Sequence, residues 1–219
     1  MDPRVNRHLI WLLAMIAAAP LQAQNADAII GRAAKVYRSL GSLQANFVQV
    51  IDNPMIDSAE SRGTLVQAGP GKLAMRFTDP AGEAIVIDGR HVWVYTPSTV
   101  PGQVVRLAVP SGGPIYGYNL LAWLLDRPAE RYKASYLRSE RLNGRTTDVL
   151  ELTPAVPDLP FDKAVIWLDR ESALPRRLEI HEQSGAIRTL DLSQIRVNQQ
   201  VPERTFTFKV PSGVRVVDQ

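Results

Sequence analysis

The stretch "AIVIDGRHVWVYTP", Ala84 to Pro97, decides the fold. Asp88-Gly89 between two apolar runs predicts a β-hairpin, because Gly adopts φ > 0 without steric cost and Asp nearly so. A strand with one wet face alternates apolar and polar residues. Here Ile85, Val86 and Ile87 come in series, as do Val92, Trp93, Val94 and Tyr95. Apolar material must therefore lie against both faces of the hairpin. Ile85, Ile87, Val92 and Val94 form one set, and Val86, Trp93 and Tyr95 form the other. A register slip of one residue would exchange them.

The neighbouring segments read as strands too. "KLAMRFT" alternates Leu73, Met75 and Phe77 with Lys72 and Arg76, and before it "RGTLVQA" carries Leu65 and "QANFVQVID" carries Phe47. Continuing to "RTFTFKV" and "VRVV" gives about eleven strands, joined by short connections rich in Gly, Pro or Asn. Short connections favour an antiparallel meander, since parallel neighbours need long crossovers. Ahead of the strands, "AIIGRAAKVYRSL" places Ile29, Ala33, Val36, Tyr37 and Leu40 on one helical face, with Asp27 as its expected N-cap and Gly41 at its C-terminal end.

One segment interrupts the meander. "SGGPIYGYNLLAWLLDRP" opens on Gly112-Gly113-Pro114 and predicts a short helix that stops at Pro128. Leu120, Leu121, Trp123, Leu124 and Leu125 surround its axis, so it must be buried on every side, and it is too short to cross a bilayer. A sheet of this many twisted strands curls into a barrel or half-barrel whose interior side chains alone do not fill. A helix can plug that space, or a ligand can. Ile115, Leu120, Leu121, Trp123 and Leu124 are the expected lid.

The chain has 219 residues, 45% hydrophobic and 21% charged, with a formal net charge of +3. That composition is globular, and the basic residues are dispersed rather than clustered as a nucleic-acid surface requires. Arg4 and Arg7, the apolar run Leu9 to Ala19 and the sequence "PLQAQ" read as a secretory signal peptide over residues 1–23, leaving one domain over 24–219. There are 0 Cys, so no disulfide forms and no lipid anchor can be attached to the mature N-terminus. Catalytic patterns are missing: there is no G-x-S-x-G elbow, no phosphate loop and no His pair at metal-ligand spacing. Asp79 and Glu83 flank Pro80 as turn carboxylates. The residues argue for binding rather than turnover, with a lipid hydrolase as the disfavoured alternative.

The opening helix followed by "LQANFVQ", then "GTLVQAGPGKLAMRFTDP", the hairpin, the Pro-led lid and the closing "FTFKVPSGVRVVDQ" resemble the periplasmic outer-membrane lipoprotein carriers, the LolA family. The resemblance covers nearly all of residues 25–219. It implies a mainly β fold, an incomplete antiparallel barrel with a helical lid over a hydrophobic cavity. It also implies a monomer in the periplasm without cofactor that takes acylated lipoproteins from an inner-membrane ABC transporter to an outer-membrane acceptor lipoprotein. The cavity would be lined by Phe47, Leu65, Leu73, Met75, Phe77, Ile85, Ile87, Val92 and Val94. Well-studied members carry a basic residue before the proline of the turn "QAGPGK", in contact with the lid. Gly69 stands there in this chain, and Lys72 or Arg76 is the expected substitute latch. A lipid shuttle or lipoprotein sensor of the same fold is the alternative reading.

Overall fold

The computed structural model describes residues 20–69, 71–109, 117–157 and 159–219, with backbone alone for 20–25 and 56. Helix α1 (Pro20–Ser39) leads into β1 (Ser42–Asn53), β2 (Ile56–Ala68), β3 (Lys72–Asp79), β4 (Ala81–Ile87), β5 (His91–Tyr95) and β6 (Gln103–Ala108). Two short helices follow, α2 (Leu120–Leu125) and α3 (Pro128–Arg131). The chain then returns to strands: β7 (Tyr132–Leu142), β8 (Arg145–Pro154), β9 (Phe161–Asp169), β10 (Pro175–Glu182) and β11 (Ile187–Val197). A 3₁₀ turn, Glu203–Phe206, precedes β12 (Arg215–Asp218).

Among the described residues these strands form one 12-stranded sheet, in the order β12-β6-β5-β4-β3-β2-β1-β11-β10-β9-β8-β7. It is open, with β12 and β7 at its edges. Every neighbouring pair is antiparallel except β12, which runs parallel to β6. The sheet curls on itself: Val92 of β5 and Leu150 and Leu152 of β8 belong to one buried cluster although they stand near opposite edges. The apolar stripe of α1, Ala26, Ile30, Ala33 and Tyr37, enters the same cluster.

Two long connections follow from this order, and they answer the question posed by the two-faced hairpin. β6 lies beside one edge and β7 is the other edge, and α2, in the connection between them, lies on the inner face. β11 lies mid-sheet and β12 at the edge, so residues 198–214 cross the outer face. There Phe206 is buried with Ala74, Ala84 and Val86, while Val201 and Phe208 lie beside Trp93. Phe208 stacks on Trp93 at 5.6 Å, and the Arg106 guanidinium lies 5.5 Å from the same indole. Lys72 Nζ meets Glu203 at 2.6 Å, and Arg76 donates to the carbonyls of Thr205 and Thr207 at 3.4 and 3.3 Å.

Several expectations are corrected here. "RTFTFKV" is a 3₁₀ turn and an extended crossing, not a strand, because its phenylalanines face the sheet rather than pair with its edge. The first helix already includes Pro20, so Asp27 lies inside it and is not its cap. Gly41 follows that helix without a left-handed φ; its N–H goes to Asn198 Oδ1 at 2.9 Å, so a neighbouring loop supplies the partner. Residues 1–19 of the expected signal peptide lie outside the described residues.

Gly63 shows why the sheet can curl tightly between β2 and β3. It stands opposite Phe47 on β1 and Phe77 on β3. A Cβ there would lie 2.1 Å from the Arg76 carbonyl oxygen. With hydrogen in its place, the two rings meet edge to face at 5.1 Å.

At the β8–β10 end the buried Asp169 accepts from Arg145 Nε at 2.7 Å and from the backbone N–H groups of Glu171 and Ser172. Arg176 approaches the same carboxylate at 3.1 Å, and Arg32 of α1 caps the carbonyls of Arg170 and Glu171. Burial by itself pushes the Asp169 carboxyl up. The hydrogen bonds from Arg145 and Ser172 and the Arg176 charge outweigh it and hold the group well below the usual carboxylate range. A carboxyl depressed in the folded state contributes stability that is complete above its unfolded pKa, about 3.9, and lost as pH falls through the folded value. Asp169→Asn is expected to lower the unfolding free energy at pH 7 by about 1.5–3 kcal/mol, the range for hydrogen bonds to charged groups. The gap from the unsubstituted protein should narrow below about pH 4. Urea titrations at pH 7 and pH 3 check both statements, and an equal gap at the two values would contradict them.

Candidate functional site

The register of the strands lines up the apolar residues of the inner face in ladders. Val94, Ile85, Met75, Leu65 and Ala45 stand opposite one another across β5, β4, β3, β2 and β1. The adjacent ladder is Val92, Ile87, Leu73, Gln67 and Leu43. A third joins Phe77, Gly63, Phe47 and Leu192. All nine of the residues expected to line a cavity therefore share one face, with Ile85 and Val94 half-buried and the others buried. Val86 and Trp93 belong to the opposite face, under the C-terminal crossing. Asp88, at the hairpin turn, accepts from the N–H groups of Arg90 and His91 and from the Trp93 indole at 2.9 Å. This fixes the turn and with it the register of the ladders.

The inner ladders are covered by α2, all six residues of which are buried. Asn119 caps it, its Oδ1 accepting from the Ala122 N–H at 3.1 Å. The helix stops at Leu125, Arg127 takes a left-handed φ of 51°, and Pro128 begins α3 at the position where its missing N–H costs nothing. On the β9 side, Trp123 meets Phe161 edge to face at 5.0 Å and its carbonyl accepts from Tyr132 Oη at 2.8 Å. On the other side Leu120 and Leu121 reach Leu65, Leu73, Met75 and Ile85 across a cavity of about 70 Å³. Ile115, the remaining residue of the expected lid, lies outside the described residues.

A second cavity, about 250 Å³, opens where α1 ends beside the end of α2, between Tyr37, Arg38, Leu43, Gln67, Gly69 and Asp126. Burial raises the pKa of the Tyr37 hydroxyl, which accepts a hydrogen bond from Gln67 and stays neutral. Gly69 has φ +58°, its N–H reaches the Gly41 carbonyl at 3.3 Å, and a Cβ built on it would touch nothing within 4 Å. Lys72 and Arg76 do not take the place of a basic lid contact at Gly69. Alternation sends both to the outer face, where they hold the C-terminal crossing. The guanidinium that does reach the lid segment is Arg188, on β11, which donates to the Gly117 carbonyl at 3.2 Å. Sequence reading had a signal for it, since Arg188 is in phase with the inward Leu190 and Leu192.

The two carboxylates that flank Pro80 are engaged separately. Glu83 accepts from Ser98, and Asp79 lies 3.9 Å from Arg62. Among the described residues no group of three or more His, Cys, Asp or Glu side chains is placed to hold a metal ion, and no helix is long and apolar enough to cross a membrane.

The comparisons with known proteins agree with this geometry. A family model described as outer membrane lipoprotein carrier protein LolA matches residues 38–209. An outer-membrane lipoprotein carrier protein of Chromohalobacter salexigens is 27% identical over 210 residues, covering 94% of this chain and 96% of the relative. One from Legionella pneumophila (strain Lens) is 24% identical over 219 residues, covering 98% of this chain and 100% of the relative. Among solved structures, an uncharacterized conserved protein of Thermus thermophilus shares the fold with a TM-score of 0.56 at 14% identity, over 88% of this chain and 98% of that one. The chain belongs to the LolA family of outer membrane lipoprotein carrier proteins.

Proposed function

We propose that this protein shields the acyl chains of lipoproteins on the inner face of its open barrel and carries them across the periplasm from an inner-membrane ABC transporter to an outer-membrane acceptor. It follows that residues 1–23 direct export and are removed, and that residues 24–219 act as a monomer without cofactor. The observation that carries this reading is the pairing of a six-residue helix, buried on every side, with continuous apolar ladders beneath it. The family membership supports it.

Physical magnitudes say how such a carrier works. A ligand pocket for a small molecule has a volume of about 300–1,000 Å³, far more than the roughly 70 Å³ left beneath the lid. This conformation is thus a closed form, and uptake requires α2 to move. Each methylene taken out of water contributes about 0.8 kcal/mol, so a chain of about 15 methylenes gains about 12 kcal/mol. Exposing the large side chains of α2 to water would cost about 1.5–3 kcal/mol each, a total of similar size. The displaced helix therefore stays in contact with the chains, exchanging one apolar contact for another. Cargo then leaves without nucleotide hydrolysis, down a gradient of affinity toward the acceptor.

Native mass spectrometry of the protein purified from the periplasm tests the reading. A co-purifying lipid-modified protein, released by detergent, is the expected result. Free phospholipid in its place would make the protein a lipid shuttle, and the absence of any acylated ligand would contradict both.

A further inference from the structure

Arg188 is out of character with its surroundings. It lies on the inner face of β11 and lines the cavity beneath the lid together with Gln49, Leu65, Met75 and Ile85. Its Nη1 donates to the Gly117 carbonyl at 3.2 Å, and its Nη2 lies 2.9 Å from Glu182 Oε1, at the tip of the β10–β11 hairpin. Its Nε is buried with no hydrogen-bond partner among the described residues. A guanidinium carries five donors in a rigid fork, and leaving one of them buried and unpaired is unfavourable. The pocket thus joins the apolar ladder residues Leu65, Leu73, Met75 and Ile85 to a polar end, where one guanidinium donor lacks an acceptor.

We infer that Arg188 recognises the carbonyl groups that join acyl chains to the head of the cargo. An acylated ligand seated with its chains on the ladders brings its ester and amide carbonyls to this rim. When the Gly117 segment withdraws, Nη1 exchanges one carbonyl for another and Nε gains the acceptor it lacks, so binding of the junction offsets loss of the lid contact. The preferred group is a neutral carbonyl rather than a phosphate. Glu182 already balances the guanidinium charge, and a second anion beside it in an apolar rim would be repelled. Arg188 is then the residue that distinguishes an ester-linked or amide-linked chain from a bare hydrocarbon.

The inference rests on the carrier reading, and the test separates the two. The purified protein is titrated with a synthetic lipopeptide whose two chains are both ester-linked, and with its analogue in which both esters are ethers. The unsubstituted protein is expected to bind the ester form about tenfold more tightly, the size of one hydrogen bond to a charged group. Arg188→Met should remove that preference by weakening the ester form, while the ether form, no longer opposed by the Gly117 contact, binds as tightly as before or more tightly. Equal binding of the two forms by the unsubstituted protein would overturn the role of Arg188 and leave the carrier reading intact, whatever the variant does. Failure to bind either form would overturn the carrier reading and this inference with it. Tighter binding of both forms by Arg188→Met would make Arg188 a lid latch alone and contradict the inference. So would a preference of the unsubstituted protein for lysophosphatidylglycerol that the variant loses.

Discussion

An aspartate in place of Met75 should abolish capture of a triacylated lipopeptide at neutral pH. Met75 is buried in the middle of the inner ladder, between Leu65 and Ile85, and lies beneath Leu120 and Leu121. An unpaired carboxylate there costs several kcal/mol once acyl chains exclude water from it, so affinity should fall by at least about 100-fold. Because burial disfavours the charged form, the introduced carboxyl titrates above the ordinary Asp range. Capture should therefore recover in part as pH is lowered from 7 toward 5. Thr78→Asp, on the same strand but exposed, is the matched control and should bind normally. Circular dichroism recorded with each binding curve separates loss of the site from loss of the fold. A folded Met75→Asp protein that binds as tightly as the control would contradict the assignment of the inner face.

The second large effect is expected far from the cavity. Phe206→Ala should destabilise the protein by about 3–5 kcal/mol, the range for truncating a fully packed phenylalanine. Phe206 is 3% exposed and fits where Ala74 and Ala84 leave room on the outer face beside Val86. Those small residues cannot close over the space left by the ring, so the cavity term stays large. The crossing also brings β12 to its place beside β6, so fast amide exchange in Arg215–Asp218 should accompany the loss. Urea unfolding measures the stability. A loss under about 1 kcal/mol would mean that the C-terminal crossing rests on the sheet without supporting it.

These two residues also mark what was legible in the sequence. The alternation of Leu73, Met75 and Phe77 and the Asp88-Gly89 turn were sufficient for the hairpin and for which residues share a face, because strand periodicity is a local property; the choice of the hairpin face turned inward came from the family resemblance. The all-round apolar character of Leu120 to Leu125 was likewise enough for a buried helix. The cover of the outer face was not legible. Phe206 and Phe208 lie more than a hundred residues from Val86 and Trp93, and "TFTFKV" alternates as a strand would. Only the topology, which carries the chain from mid-sheet back to β6, makes it a crossing. The same topology turns β12 parallel, where short connections pointed to an antiparallel meander throughout. The roles of Lys72 and Arg76 were misread for a related reason: parity placed them opposite the cavity, but a partner on that side was not anticipated. Arg188 was visible as a charge in phase with inward leucines, a pattern that looks like an ordinary polar strand position until the curl of the sheet brings Gly117 to it.

The central claim is that acyl chains lie against the inner ladders and not elsewhere on the sheet. Photo-cross-linking tests it most directly, with p-benzoylphenylalanine introduced singly at Ile85, on the inner face, or at Trp93, on the outer. Both positions are half-buried and receptive to a large ring. With a radiolabelled triacylated lipopeptide bound, illumination is predicted to yield an adduct from position 85 and none from position 93. An adduct from position 93 alone, with the lipopeptide demonstrably bound, would contradict the account.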